Sequence, residues 1–514
     1  MTAPRPQVDG ATPSRWEQVM LEFFVRRSAV GVGACALAMG TQAEAQTSAP
    51  AAPVVAKDDA QMLIETQQRR IDTLEERLRI LEARLAIPAA SPTPVRTPDQ
   101  QVAETKGQVK PPPILLTVQR TTDSEAAPPP AKRNGEQAAV VFVNGLPRFN
   151  SVDGHWWFRP RGRLFLDAST TAGAFPGRNI TGTALGSARL GMEGAVGNLS
   201  WALEGEFSEN QVVWKSAFVN IRHKLFGVEA DAAIGNRFND RTMDGSVGLG
   251  TTPFTDFNTV AATIIPRRGF WGVGVQERLY AKNWHASVQV TGEDPNNIGD
   301  GDDGLTVVSR AHWAPTLSKG LTLHLGGWGF HERLGDETGS LVRSSAIAGG
   351  FNTLVRARPG PVTGVTSDTG YGAELALIAG KFWTQNEWGR RVLHRPGGDY
   401  THDAFALSAG WFVFGSTPPY DARRGTWARA RIDHPVTAGG WGALALRARY
   451  QEADYRGLPL GGLGRSTTLG GTWYINKITR VLLDATDWHI ANPGDAPGSV
   501  DSGQTLNLGL QVQF

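Results

Sequence analysis

The chain has 514 residues, with 51 basic side chains against 49 acidic ones, a near-balance that gives no sign of a nucleic-acid partner. Gly is high at 61 and Trp plentiful at 16, while only 19 % of residues are charged; average usage is about 7 % Gly and about 25 % charged. Mean hydropathy is negative, which excludes a helical membrane protein but not a transmembrane barrel, whose strands alternate lipid-facing and water-facing residues.

The chain opens with a secretory signature. Arg26 and Arg27 precede the short apolar run SAVGVGACALAMG, and Ala43 and Ala45 are spaced for cleavage. These are the basic region, apolar core and small-residue site of a signal peptide over 1–45. The leader is long, so translation could begin at Met1 or at Met20. Val32 to Cys35 loosely matches a lipobox, but little apolar sequence precedes it. Cys35 is the single cysteine, so cleavage after Ala45 leaves no thiol chemistry.

Residues 58–86 carry Ile64, Gln67, Ile71, Leu74, Leu78, Leu81 and Leu85 at 3,4 spacing between Glu, Arg and Gln. Such a seam predicts a periplasmic coiled coil, with a lone amphipathic helix as the alternative. Pro88 ends it. Residues 87–137, with PPP at 111–113 and APPPA at 127–131, read as an extended linker without a core.

From 150 to 514 the period shortens to two. The alternation predicts strands over 156–168, 185–196, 199–208, 213–224, 228–236, 269–279, 284–292, 305–314, 321–331, 371–388, 402–414, 425–433, 441–451, 465–475, 479–489 and 503–514. Tight turns at 197–198, 225–227, 281–283 and 476–477 alternate with long polar connections at 169–184, 237–268, 293–304, 332–370, 452–464 and 490–502. Short turns on one side and long loops on the other describe an all-β transmembrane barrel in an outer membrane. Both chain ends lie on the short-turn side, so the strand count is even. Reading 370–388 as one long strand gives sixteen; splitting it at Gly380-Lys381 leads towards eighteen. Trp156, Trp157, Trp383, Trp388, Trp411 and Trp488 fall near strand ends, where aromatic girdles sit.

The segments RPRGRLFLDAST (159–170), RLGMEGAVGNLSWALEGEF (189–207), PRRGFWGVGV (266–275), GGWGALALRARYQEADY (439–455) and TTLGGTWYINKITRVLLD (467–484) resemble, in order, those of the phosphate-selective porin O and P family. That resemblance implies a homotrimer of sixteen-stranded barrels. It also implies a third extracellular loop folded into each lumen and, often, an N-terminal coiled coil.

Lumen-facing side chains tune a pore, whereas an Arg facing lipid near the midplane costs about 2–4 kcal/mol. Alternation therefore places Arg159, Arg161, Arg163, Arg310, Arg429, Arg431, Arg447 and Arg449 inside. Guanidinium groups stay charged and bind oxyanions bidentately, so a ladder of them suits an anion pore that releases what it binds. Glu204, Glu206, Glu229 and Asp231 are placed to form an opposing acidic wall, the arrangement of a non-selective porin. The expected constriction loop, 237–268, offers Arg237, Arg241, Arg267 and Arg268 beside Asp240, Asp244 and Asp256, with no lysine. The family's phosphate specificity is implied to rest on dense arginines and lysines there, and this loop departs from that pattern.

GDGDDG (299–304) lacks the ligand spacing of a calcium loop, and His285, Ser287 and His312 form no assembled catalytic set in sequence. The sequence thus calls for no cofactor, no metal and no catalytic residue. It describes a passive channel for small hydrophilic solutes with a lean towards anions, phosphate among them. Two rivals share the scaffold, an envelope-anchoring barrel and an outer-membrane barrel enzyme. The closing LNLGLQVQF turns Leu506, Leu508, Leu510, Val512 and Phe514 to lipid and Asn507, Gln511 and Gln513 to the lumen. By resemblance to outer-membrane proteins in general, the final Phe514 is the signal read by the barrel-assembly machinery.

Overall fold

The computed structural model describes residues 118–119, 138–143 and 146–514, apart from 210, 268, 293–295, 297–303, 335–341 and 496–497. The signal peptide, the coiled coil, nearly all of the linker and Arg268 lie outside the described residues.

Sixteen antiparallel strands form one closed sheet. They are β1 (Trp156–Gly173), β2 (Thr181–Val196), β3 (Leu199–Glu206), β4 (Val213–Leu225), β5 (Val228–Phe238), β6 (Trp271–Tyr280), β7 (Trp284–Thr291) and β8 (Leu305–Trp313). The second half is β9 (Leu321–Arg333), β10 (Ser367–Ala379), β11 (Phe382–His394), β12 (Tyr400–Phe414), β13 (Ala443–Asp454), β14 (Leu463–Tyr474), β15 (Thr479–Ala491) and β16 (Val500–Gln513). Each pairs with its sequence neighbour, and β16 pairs with β1 from Gly503↔Gly173 to Gln513↔Arg163, which closes the barrel. Phe514 completes the seam, its N–H donating to the Gly162 carbonyl and its own carbonyl accepting from Gly162, both at 3.0 Å. Below this seam the hairpin of Ala138–Val143 and Leu146–Ser151 lies against the free start of β1, with Phe149 opposite Phe158.

The two-residue period divides the strands as the alternation requires. Leu506, Leu508 and Leu510 are exposed on the outer face, while Asn507 and Gln511 are buried inside. Leu164 and Leu166 face outward beside them.

The total of sixteen agrees with expectation, but two of its parts do not. The stretch 370–388 is not one strand. It turns at Gly380-Lys381, with Gly380 at φ +59°, a left-handed backbone that Gly adopts without strain and that a two-residue hairpin needs. Conversely, 425–433 is no wall strand. Only Thr426–Trp427 is extended, paired with Tyr420–Asp421 in a small hairpin, and the chain then leaves the ladder. The alternation of WARARID has another origin: Ala430 and Ile432 pack against Ala443 and Tyr474, while Arg431 is exposed.

Residues 415–442 therefore form a 28-residue insert between β12 and β13, on the side of the short turns. On the opposite side, 239–270 and 334–366 are the long connections. Two of the expected girdle tryptophans are misplaced by the same reading. Trp383 packs inside on Met243, Phe254 and Trp427, and Trp488 inside with Ile347, Val355 and Tyr455. Trp388 and Trp411 do sit outside, against Tyr371 and Phe382.

Candidate functional site

Among the described residues three segments enter the lumen, and the wall holds them by buried polar and apolar contacts. Residues 239–270 cross it around α1 (Thr259–Thr263), which is capped by Asn258 accepting from the Ala261 N–H. Val260 of α1 and Ile264 just after it pack on Val308, Trp328 and Phe330 of the wall. Arg480 donates to the carbonyls of Leu249 at 2.6 Å and Thr252 at 2.8 Å. Arg449 donates to the Asp256 carbonyl at 3.0 Å and stacks 3.8 Å above Phe254. Burial pushes the Asp256 carboxyl up, against the pull of the Gly350 N–H, and nearby Asp484 adds to the rise. Leu334 and residues 342–366 fill the space beside β11 to β15 through Ile347, Ala348 and Val355.

The 415–442 insert enters from the other side. Trp427 is buried against Trp383 at 4.8 Å and donates from its indole to Gln385 at 2.7 Å. The tip of its hairpin is fixed by three wall residues. Arg310 donates to the Gly425 carbonyl at 2.6 Å and the Arg424 carbonyl at 3.1 Å. His312 bonds the Ala422 carbonyl at 2.8 Å, and His324 bonds the Tyr420 hydroxyl at 2.6 Å. Arg423 pairs with Glu229 at 2.6 Å.

Between the crossing loop and the insert lies a cavity of about 390 Å³. Arg278 and Tyr280 of β6, Asp240 and Thr251 of the loop, and Arg424 and Arg429 of the insert are among its lining residues.

The arginine ladder is differently built from the expected one. On β1, Arg159 bonds Glu193 at 2.7 Å, and Arg161 bonds Glu193 at 2.9 Å and Glu204 at 3.2 Å. Arg163 bonds Ser187 at 2.7 Å and lies 3.8 Å from Glu206. Arg189 joins Glu206 at 2.8 Å and Glu204 at 3.3 Å. Glu204 and Glu206 thus sit beside the arginines and neutralise them locally, rather than across the pore. Arg310 is clamped by both oxygens of Glu374, each at 2.8 Å. Arg447 pairs with Asp484 and Arg449 with Asp244. Asp231 takes a two-pronged contact from Arg278 at 2.9 Å, with Arg237 at 3.4 Å.

Arg429 and Arg431 are on the insert, not on a strand. Arg429 is half-buried, and among the described residues it forms no ion pair; the charges that act on it are Arg159, Glu193 and Arg161. Of the constriction candidates, Arg241 is fully buried and bonds the carbonyls of Ala261 and Ile264 at 2.7 Å each. It holds the loop together and does not line the cavity. Arg267 is half-buried, and its backbone N–H donates to Glu332 at 2.7 Å.

Arg278 and Tyr280 were not among the expected residues. Their signal was present, since Gln276, Arg278 and Tyr280 alternate with Val275 and Leu279, but Glu277 sits on the outer face and masks it. Glu277 is paired there with His223 at 3.1 Å. His285 and Ser287 do converge, but both bond Asp240, at 2.6 Å and 2.9 Å, instead of each other. Ser287 therefore donates to a carboxylate and not to a histidine.

Comparison with known proteins identifies this architecture. The family described as "Phosphate-selective porin O and P" matches residues 177–514. A Caulobacter vibrioides protein described only as uncharacterised is 28 % identical over 330 residues, 60 % of this chain. The match spans 63 % of that relative's length. Among solved structures, an anion-selective porin from Comamonas acidovorans is 13 % identical at a TM-score of 0.46, covering 70 % of this chain and 100 % of that one. Outer-membrane OmpT of Vibrio cholerae is 11 % identical at 0.43, covering 70 % and 98 %. The outer membrane channel DcaP of Acinetobacter baumannii is 9 % identical at 0.40, covering 70 % and 97 %.

Proposed function

The chain belongs to the phosphate-selective porin O and P family, an outer-membrane β-barrel channel family, and from that premise we propose a passive channel for small hydrophilic solutes that favours anions. The observation that carries the lean is the charge around the central cavity. Arg278, Arg424 and Arg429 line it against Asp240 and Asp421. Asp240 is already engaged by Arg310 at 3.2 Å and by His285. Arg278 is matched by Asp231, which leaves Arg429 as the charge best placed to attract a solute.

Six of the eight expected ladder arginines are paired with carboxylates. We therefore place the selectivity at the cavity, where the half-buried guanidinium of Arg429 offers a weak, releasable site, and take phosphate as one small anion among those admitted. A homotrimer, with 58–86 as a periplasmic coiled coil that holds it together, completes the proposal on the strength of the family and the heptad spacing.

Reversal potential across a planar bilayer under a potassium chloride gradient tests it. Discrete conductance steps with a chloride-favouring reversal potential are expected. A potassium-favouring potential overturns the anion lean, and the absence of steps overturns the channel. Millimolar phosphate is expected to reduce the chloride current; no reduction removes phosphate from the solutes.

A further inference from the structure

The lysines of the barrel are gathered at one end. Six fall among the described residues, and only Lys215 lies towards the long loops, near the start of β4 and 5.0 Å over Trp271. Lys224 is the last residue but one of β4. Lys282, Lys319, Lys381 and Lys477 each stand in a different short turn, at 281–283, 314–320, 380–381 and 475–478. All five are exposed.

Acidic groups do not accompany them. The six short turns, which include 197–198 and 226–227, contain no aspartate and no glutamate. Lys224 lies opposite Glu229 in the β4–β5 register, so the four lysines within turns carry the charge. Lys381 donates to the Val413 carbonyl at 3.4 Å, a neutral acceptor. The insert on the same side adds Arg423, Arg424 and Arg431 against Asp421 and Asp433. Towards the long loops the pattern differs, and arginines there are matched: Arg390 with Asp403 at 2.8 Å, Arg456 with Asp454 at 2.7 Å and Arg358 with Asp495 at 3.0 Å.

Each of the four stands within four residues of a large apolar side chain on the outer surface. Trp284, two residues after Lys282, faces Trp313 across β7 and β8. Leu317 is exposed two residues before Lys319. Phe382 follows Lys381 and stacks on Trp411 at 5.7 Å. Trp473 precedes Lys477, and its indole donates to the carbonyl of Trp441, itself 82 % exposed. Aromatic residues of this kind sit at the headgroup level of a membrane. A strand rises about 3.4 Å per residue, so the turns beyond this belt reach the depth of the lipid phosphates.

We propose that the lysines at 282, 319, 381 and 477 form a ring that binds anionic phospholipid, with phosphatidylglycerol as the partner, in the leaflet that meets the short turns. Short turns face the periplasm in barrels of this kind, so that leaflet is the inner one of the outer membrane. The residue type fits the task. A lysine is a compact point charge on a flexible stem, and the stem can lie along the apolar belt while the ammonium reaches a phosphate. Basic residues held at an anionic membrane surface each contribute attraction that salt screens. The proposal needs the membrane barrel but not the channel activity, and it gives the barrel a preferred lipid shell at its periplasmic rim.

Purified full-length protein in phosphatidylcholine bilayers tests the ring. Electron paramagnetic resonance of trace spin-labelled phosphatidylglycerol or phosphatidylcholine measures how much of each lipid the protein holds at its surface. Wild type is expected to favour phosphatidylglycerol by about threefold or more at low salt, and to lose most of that preference in about 1 M salt. The combined variant Lys282→Gln, Lys319→Gln, Lys381→Gln and Lys477→Gln is expected to show no preference. Arg390→Gln, at the other end of the barrel, is expected to keep the wild-type preference. Heat-modifiable migration on a denaturing gel verifies that each variant is a folded barrel. Equal binding of the two lipids by wild type overturns the ring, as does a preference kept by the combined variant or an equal fall in Arg390→Gln. A preference erased by millimolar inorganic phosphate at constant ionic strength assigns the lysines to free phosphate and overturns the lipid.

Discussion

Arginine is abundant on the lumen face, but its roles separate by partner. Arg447 and Asp484 are almost wholly buried together, and Arg447 also donates to Thr472 at 2.9 Å. Removing one member of such a pair strands the other charge, at a cost of about 3–5 kcal/mol. Arg429 has no such partner and stands half-buried at the cavity. Arg447→Ala is therefore expected to lower the heat-unfolding temperature with little change in reversal potential. Arg429→Ala is expected to shift the reversal potential towards potassium at unchanged unfolding temperature. The two readouts moving together in both variants would show that the ladder acts as one unit. Sequence could place these arginines inside, because lipid excludes them, yet could not say which were neutralised. Glu193 lies directly across from Arg159 in the β1–β2 register, and a register is a tertiary fact.

At the scale of elements, the wall strands were legible because lipid outside and water inside impose a two-residue period on each of them. The same cue failed where a segment inside the lumen met two environments of its own. Residues 425–433 alternate as cleanly as a strand, with Ala430 and Ile432 buried and Arg431 exposed, and the error was hidden because 370–388 supplied the missing strand. The heptads at 58–86 and nearly all of the linker fall outside the described residues, so the sequence alone speaks for them. The insert to which 425–433 belongs narrows the lumen, and Trp427 is its main anchor, 2 % exposed between Trp383 and Tyr420. Truncating a buried Trp costs about 3–5 kcal/mol, but here the loss falls on the insert, since no wall ladder passes through it. Trp427→Ala should raise single-channel conductance while the barrel's heat-unfolding temperature stays close to wild type. An unchanged conductance would mean that the insert does not limit the pore.

For the whole molecule, closure is the step on which everything else depends, because a sheet left open in lipid exposes a row of unpaired backbone groups. The seam joins residues more than three hundred positions apart, from Gly173 and Gly503 to Arg163 and Gln513. Its lower end is tight. A Cβ on Gly162 would lie 2.5 Å from the Arg189 carbonyl oxygen and 3.0 Å from the Phe514 ring. The first contact is with backbone of the next strand, which cannot yield without shifting the β1–β2 ladder. Gly471, on β14, offers a control, since a Cβ there would find its nearest neighbour at 3.8 Å. Gly162→Ala is expected to reduce, by a few-fold, the fraction of chain that refolds into a heat-modifiable barrel in detergent, and Gly471→Ala to leave it unchanged. Equal loss in both would assign the effect to glycine content in general, and no loss in either would show that the seam closes with room to spare. A loss confined to Gly162→Ala would assign it to the tight packing of Gly162 between the Arg189 carbonyl of β2 and the Phe514 ring, beside the line where the first and last strands meet.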